Sequence, residues 1–184
     1  MKNIIRIVVV AIIVIWAVAG YNRFVTRGEA INSQWAQVET QLQRRFDLIP
    51  NLEATVKGNA GQEQKIFGEI AEARAHYGGA VTVDQKAAAA SQYEGAIGRL
   101  LLITENYPTL QSSQSFQALM ASLEGTENRI NVERMKYNDA VKSYNTARRS
   151  FPSNIIALLF GFKAHAYFEV PADAQANPQI DFGK

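Results

Sequence analysis

The chain has 184 residues, with 19 Lys and Arg, 17 Asp and Glu, two His and no Cys. That length suits one domain able to bury roughly two-thirds of its unfolded surface. The lack of cysteine excludes disulfides, thiolate zinc sites, iron–sulfur clusters and thiol nucleophiles, and His76 and His165 alone leave most metal-hydrolase and triad arrangements short of parts.

Charge is divided unevenly along the chain. Lys2 and Arg6 sit in an apolar leader, and beyond it 17 basic residues meet 17 acidic ones. A neutral body has no basic excess to hold a nucleic-acid backbone, so nucleic acid is not an expected partner. From Ile4 to Ala19 the 16 residues carry a single charge, Arg6. A membrane-spanning helix needs about 20 apolar residues, and Arg6 on one side with Tyr21 and Arg23 on the other can make up the shortfall by snorkelling. Ile4, Ile7, Ile12, Trp16 and Ala19 mark this span, and residues 1–23 form the anchor. The competing reading is a signal peptide cut after Ala17-Val18-Ala19. Lys2 and Arg6 nearly balance Arg23 and Arg27 across the span. The order basic, apolar, long domain resembles a signal anchor, which puts the domain on the extracytoplasmic side of the cell membrane.

Past the anchor, apolar residues recur every three or four positions, a helical period. Ile31, Trp35, Val38, Leu42 and Phe46 carry a first helix, which Arg44 and Arg45 close with positive charge at the negative end of its dipole. Asp47 then caps a second helix with Pro50 in its first turn; the alternative is one long helix kinked at Pro50. Leu52, Val56, Ile66, Phe67, Ile70 and Tyr77 carry the second helix, with Gly58 and Gly61 weakening its middle. Gly78-Gly79 breaks it, and Thr82 with Gln85 forms a capping box for a third helix through Ile97, Leu100, Leu101 and Ile103. A fourth helix, expected from Ser113 to Phe151, places Phe116, Leu123, Ile130, Tyr137, Tyr144 and Phe151 at intervals of seven. Pro152 stops it. The expected fold is all-α: an N-terminal transmembrane helix, then an antiparallel up-and-down four-helix bundle over residues 24–152.

Polar residues interrupt the apolar faces. Asn138 and Asn145 each follow a seam tyrosine one heptad apart, and Glu124, Glu127, Asn128 and Arg129 interrupt the upper half of the same helix. In one reading these groups form buried hydrogen-bond networks that fix helix register, and an apolar replacement such as Asn138→Leu can then stabilise the fold. In the other, Glu124 and Glu127 act as paired carboxylates, but a di-iron site needs Glu-x-x-His in two helices and the chain has none. No catalytic, cofactor-binding or metal residue is assigned, and no enzyme activity is expected.

Arg44-Arg45-Phe46-Asp47-Leu48-Ile49-Pro50-Asn51-Leu52, Glu105-Asn106-Tyr107-Pro108, Leu123-Glu124-Gly125-Thr126-Glu127-Asn128-Arg129-Ile130, Tyr137-Asn138, Tyr144-Asn145, Phe151-Pro152-Ser153-Asn154 and Tyr167-Phe168-Glu169 follow in this order. Together they resemble the LemA family of bacterial membrane proteins over nearly the whole chain. The resemblance implies one N-terminal membrane helix followed by a four-helix bundle, and a partnership with a membrane-anchored zinc metalloprotease in membrane-protein quality control. Family members usually carry His where this chain has Phe46.

Residues 153–170 are apolar, with Ile155, Ile156, Leu159, Phe160, Phe162, Tyr167 and Phe168 as interaction candidates. One reading folds this segment back as coil or short helix to seal the bundle. The other leaves it exposed for a protein partner or the membrane interface. Residues 171–184 read as a polar, Pro- and Ala-rich tail in which Ile180 and Phe182 could add a strand to, or dock on, another protein. The expected role is a membrane-anchored scaffold or adaptor, with self-assembly into a homo-oligomer or membrane remodelling as the alternative.

Overall fold

The computed structural model describes residues 1–57 and 64–169, and Gly58, Gly61, Ile180, Phe182 and the 171–184 tail lie outside the described residues. The described chain is helical: α1 Lys2–Lys57, α2 Gln64–Gly79, α3 Val83–Thr104, α4 Pro108–Gln111, α5 Gln114–Arg149 and α6 Ser153–Leu159, followed by an extended stretch to residue 169. Among the described residues the regular structure is all helix, with no strand and with a long apolar N-terminal helix.

α1 corrects one expectation. No helix ends at Arg44–Arg45, and Asp47 caps nothing: its carboxylate accepts from the Gln43 side chain one turn earlier, and the helix runs on through Pro50. The reason lies in the apolar seam. Phe24, Ile31, Trp35, Val38, Leu42, Phe46, Ile49, Leu52 and Val56 are all buried, and from Ile31 on their three- and four-residue spacing passes position 50 without changing face. Proline in a helix costs about 3 kcal/mol, whereas burying an aliphatic side chain contributes about 1.5–3 kcal/mol. Ile49, Leu52 and Val56 together therefore outweigh it. Pro50 itself faces solvent, where its missing N–H harms least.

The region around Gly20 divides α1 in character rather than in structure. Residues before Gly20 other than the partly buried Ala17 are exposed, and the most apolar window of the helix has none of its residues fully buried inside the fold. At 1.5 Å per residue α1 is about 84 Å long, of which some 30 Å suffices to cross the hydrocarbon core of a bilayer.

α5 and, to a smaller extent, α3 pack on the second part of α1. α5 runs antiparallel to it, with Tyr144 edge-on to Phe24 at 5.6 Å and Tyr137 edge-on to Trp35 at 5.3 Å. α2 and α3 form an antiparallel hairpin joined by Arg99–Glu69 at 3.0 Å, and α3 lies parallel to α1 through Lys86–Glu39 at 2.6 Å. The Thr82–Gln85 capping box opens α3 as expected, and Ser113 caps α5 through the Phe116 N–H. Phe116, Leu123, Ile130, Tyr137 and Tyr144 are buried, whereas Phe151 falls beyond the helix end and is 81% exposed, so the seam stops one heptad earlier than expected. Phe46 packs edge-on to Tyr77 and Tyr93.

Replacing Pro50 by Ala restores the N–H that α1 lacks at this solvent-facing position, and is expected to raise stability by about 1–3 kcal/mol. Thermal unfolding of the detergent-solubilised chain checks this; a fall in stability would mean that the core depends on the shape proline imposes.

Candidate functional site

The two Tyr-Asn pairs of α5 grip the chain's own C-terminal stretch. Asn145 donates to the His165 carbonyl (2.9 Å) and accepts from the His165 N–H (3.1 Å). One heptad earlier, Asn138 donates to the Phe168 carbonyl (3.0 Å) and accepts from the Phe168 N–H (2.9 Å). The spacing follows from geometry. Seven helical residues rise about 10.5 Å, and three extended residues span about 10 Å, so asparagines a heptad apart meet residues 165 and 168 of an antiparallel strap. Tyr137 donates to the Ala166 carbonyl, Arg148 to that of Phe162 and Ser91 to that of Glu169, while Asp84 accepts from the Ala166 N–H. The strap thus has much of its backbone satisfied by side chains of α3 and α5 without joining a sheet.

Gly161 sets the strap's direction. Its φ of 71° is the left-handed conformation that closes a helix, and the Phe162 N–H reaches back to the Ala157 carbonyl at 2.9 Å. From there Phe162 stacks on Phe24 at 4.8 Å, and Phe168 packs against Trp35 at 5.9 Å beneath the Arg134 guanidinium. Ile156 and Phe168 are buried and Phe162 is half-buried, so these three candidates belong to the chain's own core and not to an open docking face. Ile155, Leu159, Phe160 and Tyr167 remain exposed. Leu158, absent from the expected set, is 85% exposed.

At mid-height the fold buries charge. Arg45 is 3% exposed and lies 2.6 Å from Glu94 of α3, with Glu127 of α5 at 3.8 Å. Among the described residues nothing hydrogen-bonds Arg45 Nε, Glu94 Oε1 or the Tyr93 hydroxyl. Burial pushes the Glu94 carboxyl above its ordinary range against the pull of Arg45, and burial pushes the Tyr93 hydroxyl up to about 12. Glu94 was readable in principle: it stands four residues after Ala90 and three before Ile97, on the apolar face of α3. Glu124 and Glu127, the paired carboxylates considered from sequence, are both exposed.

At the other end, α6 is pressed onto α1. A Cβ on Gly20 would lie 2.9 Å from Ile156 Cγ1, so only glycine admits this approach without displacing Ile156. Tyr21 packs edge-on to Phe160 at 5.0 Å. Above the contact, α1 and α5 leave a cleft of about 600 Å³, with Trp16, Gly20 and Ile156 at one end and Arg23, Arg27 and Lys142 at the other.

Asn138→Leu removes both partners of Phe168, so the structure reverses the expectation that it stabilises the fold: a loss of about 1–3 kcal/mol is expected. Hydrogen exchange by NMR or mass spectrometry should find the amides of His165, Ala166 and Phe168 protected in the native chain, and that of Phe168 exchanging faster in Asn138→Leu. Arg45→Met alone strands the Glu94 charge and is expected to cost about 3–5 kcal/mol, while Arg45→Met with Glu94→Leu recovers most of it or exceeds wild type. Because Glu94 titrates higher folded than unfolded, its contribution is full below its ordinary 4.5 and declines as pH rises through the folded value. Glu94→Gln should flatten that slope in denaturant titrations at stepped pH.

The LemA family model matches residues 34–182. The chain is 31% identical over 175 residues to magnetosome protein MamQ 1 of Paramagnetospirillum magneticum, covering 81% of this chain and 64% of that one. It is 32% identical over 179 residues to magnetosome protein MamQ of Magnetospirillum gryphiswaldense, covering 83% and 66%. The chain thus spans slightly less than two thirds of the length of the curated relatives it matches. The chain belongs to the LemA family.

Proposed function

We propose that this LemA-family chain is a single-pass membrane scaffold that holds a helical domain at fixed height and orientation above the bilayer and presents it to a partner protein. The observation that carries this reading is the continuity of α1. The same helix is exposed and apolar before Gly20 and packed along one face from Phe24 to Val56, with no break between the two parts. A hinge would let the domain swing, whereas an unbroken helix transmits the membrane's orientation to every element packed on it. In this reading the long helices close as an up-and-down four-helix bundle, and the domain lies outside the cytoplasm. The likeness to magnetosome proteins supports a membrane-associated role. A membrane-anchored metalloprotease is the client that family resemblance brings forward.

A second reading, membrane shaping, draws on Phe151, Leu158, Leu159 and Phe160, exposed apolar side chains beside the end of the span.

The chain has no cysteine of its own, so Met135→Cys on the exposed side of α5 reports sidedness directly. Labelling of intact cells by a membrane-impermeant maleimide is expected; labelling only after permeabilisation would put the domain in the cytoplasm. In-cell crosslinking followed by mass spectrometry should then recover a second protein attached to the outer faces of α2 and α3. Self-links alone would replace the scaffold reading with self-assembly.

A further inference from the structure

We propose that the cleft between α1 and α5 is a binding site for an anionic phospholipid, with its headgroup phosphate held by Arg23, Arg27 and Lys142. This rests on reading α1 as a membrane span. Three features of the cleft coincide. First, its polarity runs along α1: Trp16 and Gly20 line the end that meets the apolar span, and Arg23 and Arg27 line the end above it. The rise from Trp16 to Arg27, eleven residues, is about 16 Å, so the cleft crosses the boundary between hydrocarbon and headgroups.

Second, its charge suits an anion. Three cations face a single carboxylate, Asp139, and among the described residues no ion pair joins Arg23, Arg27 or Lys142 to an acidic side chain. Two guanidiniums and an ammonium are the groups that bind phosphate oxygens, by forked hydrogen bonds and by point charge respectively. Its volume of about 600 Å³ is that of a small-molecule site.

Third, α6 walls the cleft and is itself made for an interface. Ile156 faces inward against Gly20 and the cleft, while Leu158 and Leu159 on the outer side are 85% and 72% exposed. Apolar side chains so exposed, held rigidly at the level where the span emerges, are placed to enter the headgroup–acyl boundary. A free phosphate would meet the cations only; a phospholipid meets the cations and the apolar floor together.

The test uses the full chain in vesicles of phosphatidylcholine with and without phosphatidylglycerol, carrying one environment-sensitive label at a time. A label at Ile12→Cys reports the span, one at Leu158→Cys reports α6, and one at Met135→Cys gives the aqueous reference. Quenching of Ile12 and Leu158 by lipid-borne quenchers, deeper for Ile12, is expected. If Ile12 is quenched and Leu158 matches Met135, α6 lies in water and the site proposal falls while the span stands. If Ile12 also matches Met135, the span reading falls and takes the site with it. Native mass spectrometry of detergent-released protein then reads the cleft directly. Retained phosphatidylglycerol should drop several-fold in Arg27→Gln with Lys142→Gln and stay unchanged in Arg44→Gln with Arg129→Gln, which lose equal charge elsewhere. Added inorganic phosphate should not displace it. Equal retention in both double variants, or displacement by phosphate, would overturn the proposal.

Discussion

With its apolar leader in a bilayer, as proposed, α1 must satisfy two solvents with one unbroken run of helical hydrogen bonds. In hydrocarbon a backbone can satisfy itself only as a helix or a closed barrel, so the apolar leader has little choice but to be helical. Once formed, that helix carries its register into the aqueous domain, where the requirement changes from apolar on all sides to apolar along one seam. The seam from Phe24 to Val56 meets it. A helix broken at Asp47 would have freed the seam's last three members to choose a new direction; keeping them in line commits α3 and α5 to pack along the same axis. Arg45 turns inward as a consequence, because its neighbours Leu42, Phe46 and Ile49 fix the buried face and the arginine lies on it.

Burying that arginine creates a need that the neighbouring helices meet only in part. Glu94 supplies the counter-charge and Glu127 a more distant one, yet several polar atoms around them keep no partner among the described residues. Apolar groups of the same volume would hold the helices at least as well. What the pair adds is selectivity: an Arg–Glu contact in the core penalises any sliding of α3 against α1, since a shift of one turn would bury both charges apart. In a fold built from heptad-like seams, where slips of three or four residues preserve much of the apolar contact, such a penalty has a use.

The strap shows how far a sequence can be read and where reading stops. The third helix, the capping box at Thr82, the α5 heptad from Phe116 to Tyr144 and the break at Gly78-Gly79 follow from local spacing, and spacing is local information. The Tyr137-Asn138 and Tyr144-Asn145 pairs stood out for the same reason, but their partners did not. Those partners are main-chain atoms of residues 165 and 168, and a main-chain group has no side-chain signature to recognise. The same holds for α1 at Pro50, where local rules favour a helix start and only the summed burial of Ile49, Leu52 and Val56 decides otherwise. Glu94 was missed for a different reason: a single charge on an alanine-rich face looks like ordinary solvation until an arginine on another helix is placed against it.

The two ends of the domain are built for different surroundings, and this bears on what a scaffold of this kind can do. Far from the apolar leader, contact between helices is made by aliphatic and aromatic seams with one buried ion pair, an arrangement that resists sliding. Next to the leader, a glycine lets α6 lie against α1, Gly161 turns the chain, and the strap returns along α5 under asparagine side chains to Trp35. The C-terminal stretch therefore ties the base of α1, through Phe162 on Phe24, to the middle of the domain, through Phe168 on Trp35. Because each asparagine holds both the N–H and the carbonyl of one strap residue, the strap cannot slide by a residue without breaking four hydrogen bonds at once. It can release as a unit or stay in place, and intermediate positions are disfavoured. The strap's bound state is thus defined at two points a heptad apart.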